Sequence, residues 1–440
     1  MKNSNYKRLH PNLFKVPIDK VRMGYYTDKY FTRFVEVLKK DKKDIDVVYQ
    51  FFPRKDSIIV GIDEALAILK YGTGYYQDER EAEDIFKQIL KLEKSLQDAA
   101  SRMNKQDLLD ITSKKWDLRM KLNELWVDKW DEITIKALYD GDSAKNMEPI
   151  LVIEGNPKYF GHLETLLLGV LSRATSTATS TKKVVEAANG KPIAFFSARF
   201  DHFWVQTTDG YAALKAGAFG VSTDANADYW GIESMGTIPH ALIASYKGST
   251  ADAAVAFDKH IKPSVNRLVL VDWDNNCVET TFDVIKKFYE YVKGEKFIEG
   301  HTDPSEIIGT GKEKIWAVRF DTSGQLRDKL VTPRDKNSLG VNPELVWKAR
   351  NIFDKNGLKD LKIMVSGGFN QEKIELFETL DVPVDLYGVG SSLLKDKVDF
   401  TADIVEVNNE HCAKIGRKKG DYSRLSEVPK EYWTVKKDDV

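Results

Sequence analysis

Between residues 192 and 395, short β-branched runs alternate with helical runs, and this constrains the fold more than any other feature. PIAFFSARF precedes GYAALKAG, AFGVST precedes PHALIASY, and RLVLVDW precedes TTFDVIKKFYEYV. IWAVRFDTS precedes PELVWKARNIF, LKIMVSGGF precedes EKIELFETL, and VDLYGVGSSL follows. Alternation of this kind predicts repeated βα units around a parallel sheet. A (β/α) barrel and an open doubly wound sheet both satisfy it, and both collect ligands beyond the carboxyl ends of their strands. The even succession favours the barrel. Four of the expected strands end in polar or glycine-rich sequence: Asp272; Arg319 with Asp321; Ser366-Gly367-Gly368; and Gly388-Val389-Gly390-Ser391.

The flanks differ in character. VVYQFFPRKDSIIVG reads as strand material, and IDEALAILKYG as a helix ending at Gly72. Residues 77–130 are charged and contain no Gly or Pro. Their recurring Ile85, Ile89, Leu92, Leu96, Leu108, Leu109, Leu118, Leu122 and Leu125 predict two amphipathic helices forming a hairpin. A sustained heptad is missing, which argues against a coiled coil. ITIKALYDG and EPILVIEG read as strands, and HLETLLLGVLSRATSTATSTKKVVEAA as a long helix stopped by Gly190 and Pro192. Its Ser and Thr residues compete for backbone hydrogen bonds, so they serve either close packing or a ligand. DIVEVNNEHCAKIGRKKGD resembles two strands and a turn that return to the first region. The expected division is an α+β domain over residues 1–154, an α/β barrel over 155–400, and a C-terminal segment over 401–440 packing near the first domain.

Composition narrows the function classes. Lys plus Arg total 66 against 67 Asp plus Glu, a formal net charge of -1, so nothing global points to a nucleic-acid partner. The 2 cysteines, Cys277 and Cys412, support neither a disulfide framework nor a four-cysteine zinc site. No run approaches the roughly 18 apolar residues of a membrane span. The opening MKNSNYKRLHPNLFKVPIDK is a poor secretion signal. A soluble, cytoplasmic protein is the expectation.

Chemistry concentrates at the strand ends. Gly367 and Gly368 open a helix and let backbone amides approach an anion; Gly388, Gly390, Ser391 and Ser392 supply a second such loop. Two loops on successive βα units predict a divided phosphate cradle lined also by Ser366. Neither matches GxxxxGK[ST], and no GxGxxG fingerprint occurs. Arg319 and Asp321, two residues apart, share a strand face. The arginine suits a carboxylate or phosphate, and the aspartate suits ribose hydroxyls or a cationic ring; a simple ion pair between them is the alternative. Asp224 and Asp272 follow other strands and are candidates to orient ribose, base or Mg²⁺-bound diphosphate. In GTIPHALIA, Pro239 precedes a helix and His240 falls in its first turn, where a phosphorylated imidazole would be favoured. His202 is a weaker candidate, and His162 reads as a cap. The 7 histidines contain no HExxH motif, and no protein-bound metal is expected. Tyr25, Tyr26 and Asp28 in GYYTDKY could stack on and pair with a ring, or anchor an interface.

In combination these segments resemble the nicotinate phosphoribosyltransferases of the type II phosphoribosyltransferase family. The resemblance runs in order through GYYTDKY, EPILVIEG, HLETLLLGVLSR, STDANADYWG, MGTIPHALIA, LVLVDW, VRFDTSG, SGGFNQEKI and YGVGSSL. It implies an irregular barrel, an N-terminal mixed domain, a returning C-terminal segment, and a homodimer with shared active sites in which Tyr26 stacks on a ring. The implied reaction, part of NAD biosynthesis and salvage, joins nicotinate to 5-phosphoribosyl 1-diphosphate, giving nicotinate mononucleotide and diphosphate. It also implies ATP as co-substrate, with His240 phosphorylated, and Mg²⁺ held mainly through diphosphate. Asp321 and Asp224 take ribose- or base-facing catalytic positions, Arg319 the base or phosphate pocket, and Gly367, Gly368, Gly388 and Gly390 the ribose phosphate. SARFDHFW departs from an FGxRR-like segment, leaving Arg199, with Arg173 as a second candidate charge. A nicotinamide or other planar-base enzyme, a quinolinate enzyme and a non-catalytic homologue are the alternatives. The 77–130 helices exceed the family's usual connection.

Overall fold

The computed structural model describes residues 7–430. Of these, residues 7–175 together with 398–430 form one compact unit, and Ser176–Lys397 form a second.

The first unit is built on an antiparallel sheet. Its labelled strands are β1 (Val47–Pro53), β2 (Thr134–Ala137) and β3 (Leu151–Gly155), joined by β10 (Phe400–Val407), β11 (Glu410–His411) and β12 (Ser426–Glu427). Their order is β11-β10-β1-β3-β2-β12. The C-terminal segment therefore returns: β10 pairs with β1 from Val47–Val407 to Pro53–Phe400. Phe51, Ile135, Leu151 and Ile153 bury against α1 (Ile62–Gly72) through Leu66 and Leu69. The two expected amphipathic helices are α2 (Glu79–Ser101) and α3 (Lys105–Glu124), each capped by its preceding side chain, Asp78 and Asn104. Ile85, Phe86, Ile89, Leu118 and Leu122 close their seam, whereas Leu109 faces outward and is exposed.

Helix α4 (Glu164–Ala187) carries the Ser/Thr tract, and its hydroxyls mostly serve packing. Thr175, Thr177 and Thr181 are buried, and the Thr175 hydroxyl joins the Val60 backbone. The close approach is enforced at Gly61, where a Cβ would sit 2.8 Å from the Val170 carbonyl.

The second unit contains six parallel strands: β4 (Ile193–Phe195), β5 (Gly220–Val221), β6 (Arg267–Leu270), β7 (Ile315–Phe320), β8 (Lys362–Val365) and β9 (Leu386–Val389). They are ordered β6-β7-β8-β9-β4-β5. The last strand of the series pairs with the first, Gly388 against Ala194, so the sheet curls as in a (β/α) barrel rather than opening as a doubly wound sheet. Between β5 and β6 lies the extended segment 235–238. Met235 N–H donates to the Val221 carbonyl at 2.8 Å and Ile238 N–H to the Leu268 carbonyl at 3.1 Å, bridging the gap. Helices α5 (Gln206–Lys215), α6 (His240–Ser245), α7 (Thr250–His260), α8 (Cys277–Lys293), α9 (Pro343–Lys355) and α10 (Gln371–Thr379) surround the strands.

Strand periodicity sorts the side chains. Val269, Val318, Phe320, Ile363, Val365 and Val389 face the helices and join the main core. The opposite face forms a small inner layer of Ala194, Leu268, Ala317, Met364 and Leu386. No helix among the described residues is long and apolar enough to cross a membrane.

Candidate active site

Two residues beyond each member of the inner layer stand Phe196, Leu270, Arg319, Ser366 and Gly388, and all five line one pocket of about 620 Å³. Two residues further stand Ala198, Asp321, Gly368 and Gly390, also in its wall, and Asp272, which bonds a wall residue. The pocket is the continuation of the barrel interior past its packed layer, at the carboxyl ends of the strands. Its remaining wall includes Arg199, Phe200, Thr237, His240, Gly367 and Ser391.

The polar groups form a connected set. Arg319 donates from Nε to Ser366 Oγ at 2.7 Å and from Nη1 to Thr237 Oγ1 at 3.1 Å. Its Nη2 lies 3.1 Å from Asp321 Oδ2. Ser366 Oγ donates to Asp321 Oδ1 at 2.6 Å, so one hydroxyl ties the base of the pair. The guanidinium lies over the Phe196 ring, 5.2 Å from its centroid. The ion pair and the pocket position, alternatives from sequence, hold together.

His240 opens α6 and places Nε2 3.1 Å from Asp272 Oδ1. The imidazole is 46% exposed while the carboxyl is 7% exposed, so the histidine presents an open face to the pocket from a fixed partner. Burial holds the Asp272 carboxyl above the usual carboxylate range; His240 opposes that shift and the Asp321 charge adds to it.

The two glycine loops use glycine differently. Gly367 and Gly368 both have positive φ, +85° and +71°, a conformation that disfavours any side chain. Gly388 and Gly390 are there for space: a Cβ at 388 would lie 2.8 Å from Phe196 and Met364, and one at 390 would lie 2.7 Å from Phe200. Lys373, on the first turn of α10, reaches the Gly367 carbonyl at 3.4 Å and lies 4.2 Å over the Phe369 ring. Burial pulls its ammonium down to about 8.

Arg199 lines the pocket and is exposed, over the Phe200 ring at 5.3 Å. Asp224 is exposed outside the pocket lining and accepts from Ser234 Oγ at 2.6 Å, although its neighbours Ser222 and Thr223 are in the wall. Tyr26 and Arg173 belong to the other unit; Tyr26 is 47% exposed and edge-on to Tyr25, and Arg173 is half-buried on α4. Thr237 and Phe196 were not singled out from sequence. The two-residue step from Ala194 reaches Phe196, but Thr237 sits on a segment with no strand pattern. Among the described residues no cluster of three or more His, Cys, Asp or Glu is arranged to hold a metal.

The mouth of this (β/α) barrel-like sheet thus carries two glycine loops, a braced arginine–aspartate pair and a histidine on a buried carboxylate. Comparison with known proteins finds similar folds and sequences. A nicotinate-nucleotide pyrophosphorylase from Pyrococcus furiosus is 25% identical, superposes with a TM-score of 0.66, and covers 94% of this chain and 85% of its own. Human nicotinic acid phosphoribosyltransferase, 15% identical with a TM-score of 0.60 over 89% of this chain and 77% of its own, shares the fold. In sequence, the Mycobacterium tuberculosis nicotinate phosphoribosyltransferase pncB1 is 28% identical over 262 residues, 58% of this chain and 49% of that protein. The Bacillus subtilis nicotinate phosphoribosyltransferase is 23% identical over 259 residues, 59% of this chain and 45% of that protein. The matched regions thus span about half the length of these curated relatives. No family model matches the chain. The chain is thus similar in sequence to nicotinate phosphoribosyltransferases and in fold to a nicotinate-nucleotide pyrophosphorylase.

Proposed function

We propose that the protein is a nicotinate phosphoribosyltransferase acting in NAD biosynthesis, joining nicotinate to 5-phosphoribosyl 1-diphosphate. The observation that carries the reading is the convergence of Arg319, Asp321 and Ser366 with both glycine loops in one pocket. In the reaction the pyridine nitrogen attacks C1 of the ribose as the C1–oxygen bond to diphosphate breaks. Positive charge gathers on the ribose ring and negative charge on the leaving group. Asp321 is placed to face the former, and the open backbone at Gly367–Gly368 and Gly388–Gly390 receives the ribose phosphate. Arg319 and Arg199 are the pocket's cations for the base carboxylate or phosphates. Phe196 offers a ring face at the floor, and Tyr26 from a second copy of the chain is the proposed opposite face in a homodimer, with Arg173 a further charge. Asp224 is proposed to act at the nicotinoyl ring once substrate is bound.

Asp272 and Asp321 follow adjacent strands, and the charge of one raises the proton affinity of the other, which fits a cation nearby. Mg²⁺ bound to diphosphate would neutralise the leaving group there. ATP is the proposed phosphoryl donor to His240, whose Nε2 contact orients the imidazole on Asp272. The second reading is a neutral base such as nicotinamide, which needs no full carboxylate clamp; it is favoured by Arg199, the other arginine of the pocket wall, being exposed over the Phe200 ring.

The test incubates purified protein with 5-phosphoribosyl 1-diphosphate, Mg²⁺ and either nicotinate or nicotinamide, with and without ATP, and identifies the nucleotide formed. Nicotinate mononucleotide is expected, with more product when ATP is present. Nicotinamide mononucleotide alone would establish the second reading, and no nucleotide under any condition would reject both.

A further inference from the structure

We infer that Thr237 is a positioning residue that fixes, through its hydroxyl, which N–H groups of Arg319 face the substrate. The inference rests on the reading just given. A guanidinium carries five N–H donors. Ser366 takes the one on Nε, Thr237 one on Nη1 and Asp321 one on Nη2, so three of five are used. One remains on each Nη nitrogen, and two such donors suit a planar carboxylate.

Ser366 and Asp321 bond each other at 2.6 Å, so together they hold one side of the guanidinium. The contact from Thr237 comes from a different part of the barrel. Its segment is tied on both sides, by Met235 to Val221 and by Ile238 to Leu268, and a β-branched side chain has few rotamers. The hydroxyl is thereby held at a set point 3.1 Å from Nη1. Without it, a third outer N–H competes for the substrate, and the guanidinium is free to shift toward Asp321 and off the Phe196 ring.

Thr237→Val keeps the shape and removes the hydroxyl. It is expected to raise KM for nicotinate about tenfold, the loss of one charged hydrogen bond. KM for 5-phosphoribosyl 1-diphosphate should change by less than about twofold and kcat fall by no more than about threefold, whereas Thr237→Ser should restore the nicotinate KM. A purely structural role would move both KM values and the melting temperature together. Should Thr237→Val fail to fold, Thr237→Ala supplies the same comparison. Calorimetric titration of nicotinate into each protein separates the two levels of the argument. Wild-type protein that neither makes nucleotide nor binds nicotinate overturns the functional reading and this role with it. Wild-type protein that does both, with an unchanged nicotinate KM in Thr237→Val or an equal rise in both KM values, overturns the role of Thr237 alone.

Discussion

His162 and His240 both stand at the start of a helix, and their surroundings give them opposite characters. His162, in the first unit, is 8% exposed, and its Nε2 finds no hydrogen-bond partner among the described residues. Burial pushes its imidazole down to about 4, so it is neutral at ordinary pH. His240, in the second unit, is 46% exposed and joined to a buried carboxylate at the pocket wall. The first imidazole fills space; the second has an open nitrogen side and a partner that sets its orientation. A histidine at a helix start says little by itself. The deciding property is whether the sequence around it ends a barrel strand or enters a core, and three experiments press on that contrast.

The largest effect is expected at Asp321, which binds Arg319 and Ser366 at once. Asp321→Asn keeps the shape but removes the charge proposed to face the ribose, and turnover should fall on the order of 100- to 1000-fold with the melting temperature nearly unchanged. Normal turnover measured by nucleotide formation would remove Asp321 from the machinery. Next comes His240→Asn, expected to abolish acid-labile phosphate uptake from ATP and to lower ATP-stimulated transfer about tenfold. His162→Asn, the matched control, should leave both within about twofold. Equal phosphate uptake in the His240 variant would break the contrast between the two histidines.

Much of the second unit was legible because strand periodicity is visible in sequence. LVLVD, IWAVRFD and IMVSGG alternate between helix-facing and inward residues, so the two-residue step carries Ala317 to Arg319 and Asp321, and Met364 to Ser366 and Gly368. The glycine loops were legible as loops, but their different needs were not: Gly367 requires a conformation, and Gly390 requires room for Phe200, which lies far away in the sequence. GTIPHALIA was read for His240, but Thr237 escaped notice because GTIP has a glycine, a proline and no alternating pattern, and becomes a stave of the barrel only through its neighbours' backbones. Asp224 shows how the same local pattern can lead to a different setting. It follows a strand as Asp321 does, yet β5 is two residues long and the chain turns into a helix, leaving the carboxyl exposed on Ser234.

The smallest effect is one of stability, and it tests whether the His162 environment is a closed core. A histidine with an ordinary value of 6.5 and a folded value of about 4 binds protons more readily when unfolded. Its contribution to stability is therefore fully present above pH 6.5 and is lost as pH falls toward 4, by up to about 3 kcal/mol. Two residues on, Glu164 has the opposite sign. Burial first, then the Asp403 and Asp28 charges, push its carboxyl up to about 8 from an ordinary 4.5. Its contribution is present below pH 4.5 and is lost as pH rises through 8. Between pH 4.5 and 6.5 the two slopes oppose each other, so urea denaturation across pH 5 to 9 should show nearly level stability from this pair below about pH 6.5 and a fall from there toward pH 8 in the wild-type protein. His162→Asn should extend the fall down to pH 5, and Glu164→Gln should abolish it and leave stability rising from pH 5 to 6.5. A pH profile unchanged by His162→Asn would mean that water reaches this imidazole, and the distinction between a space-filling histidine and a working one would then rest on Asp272 alone.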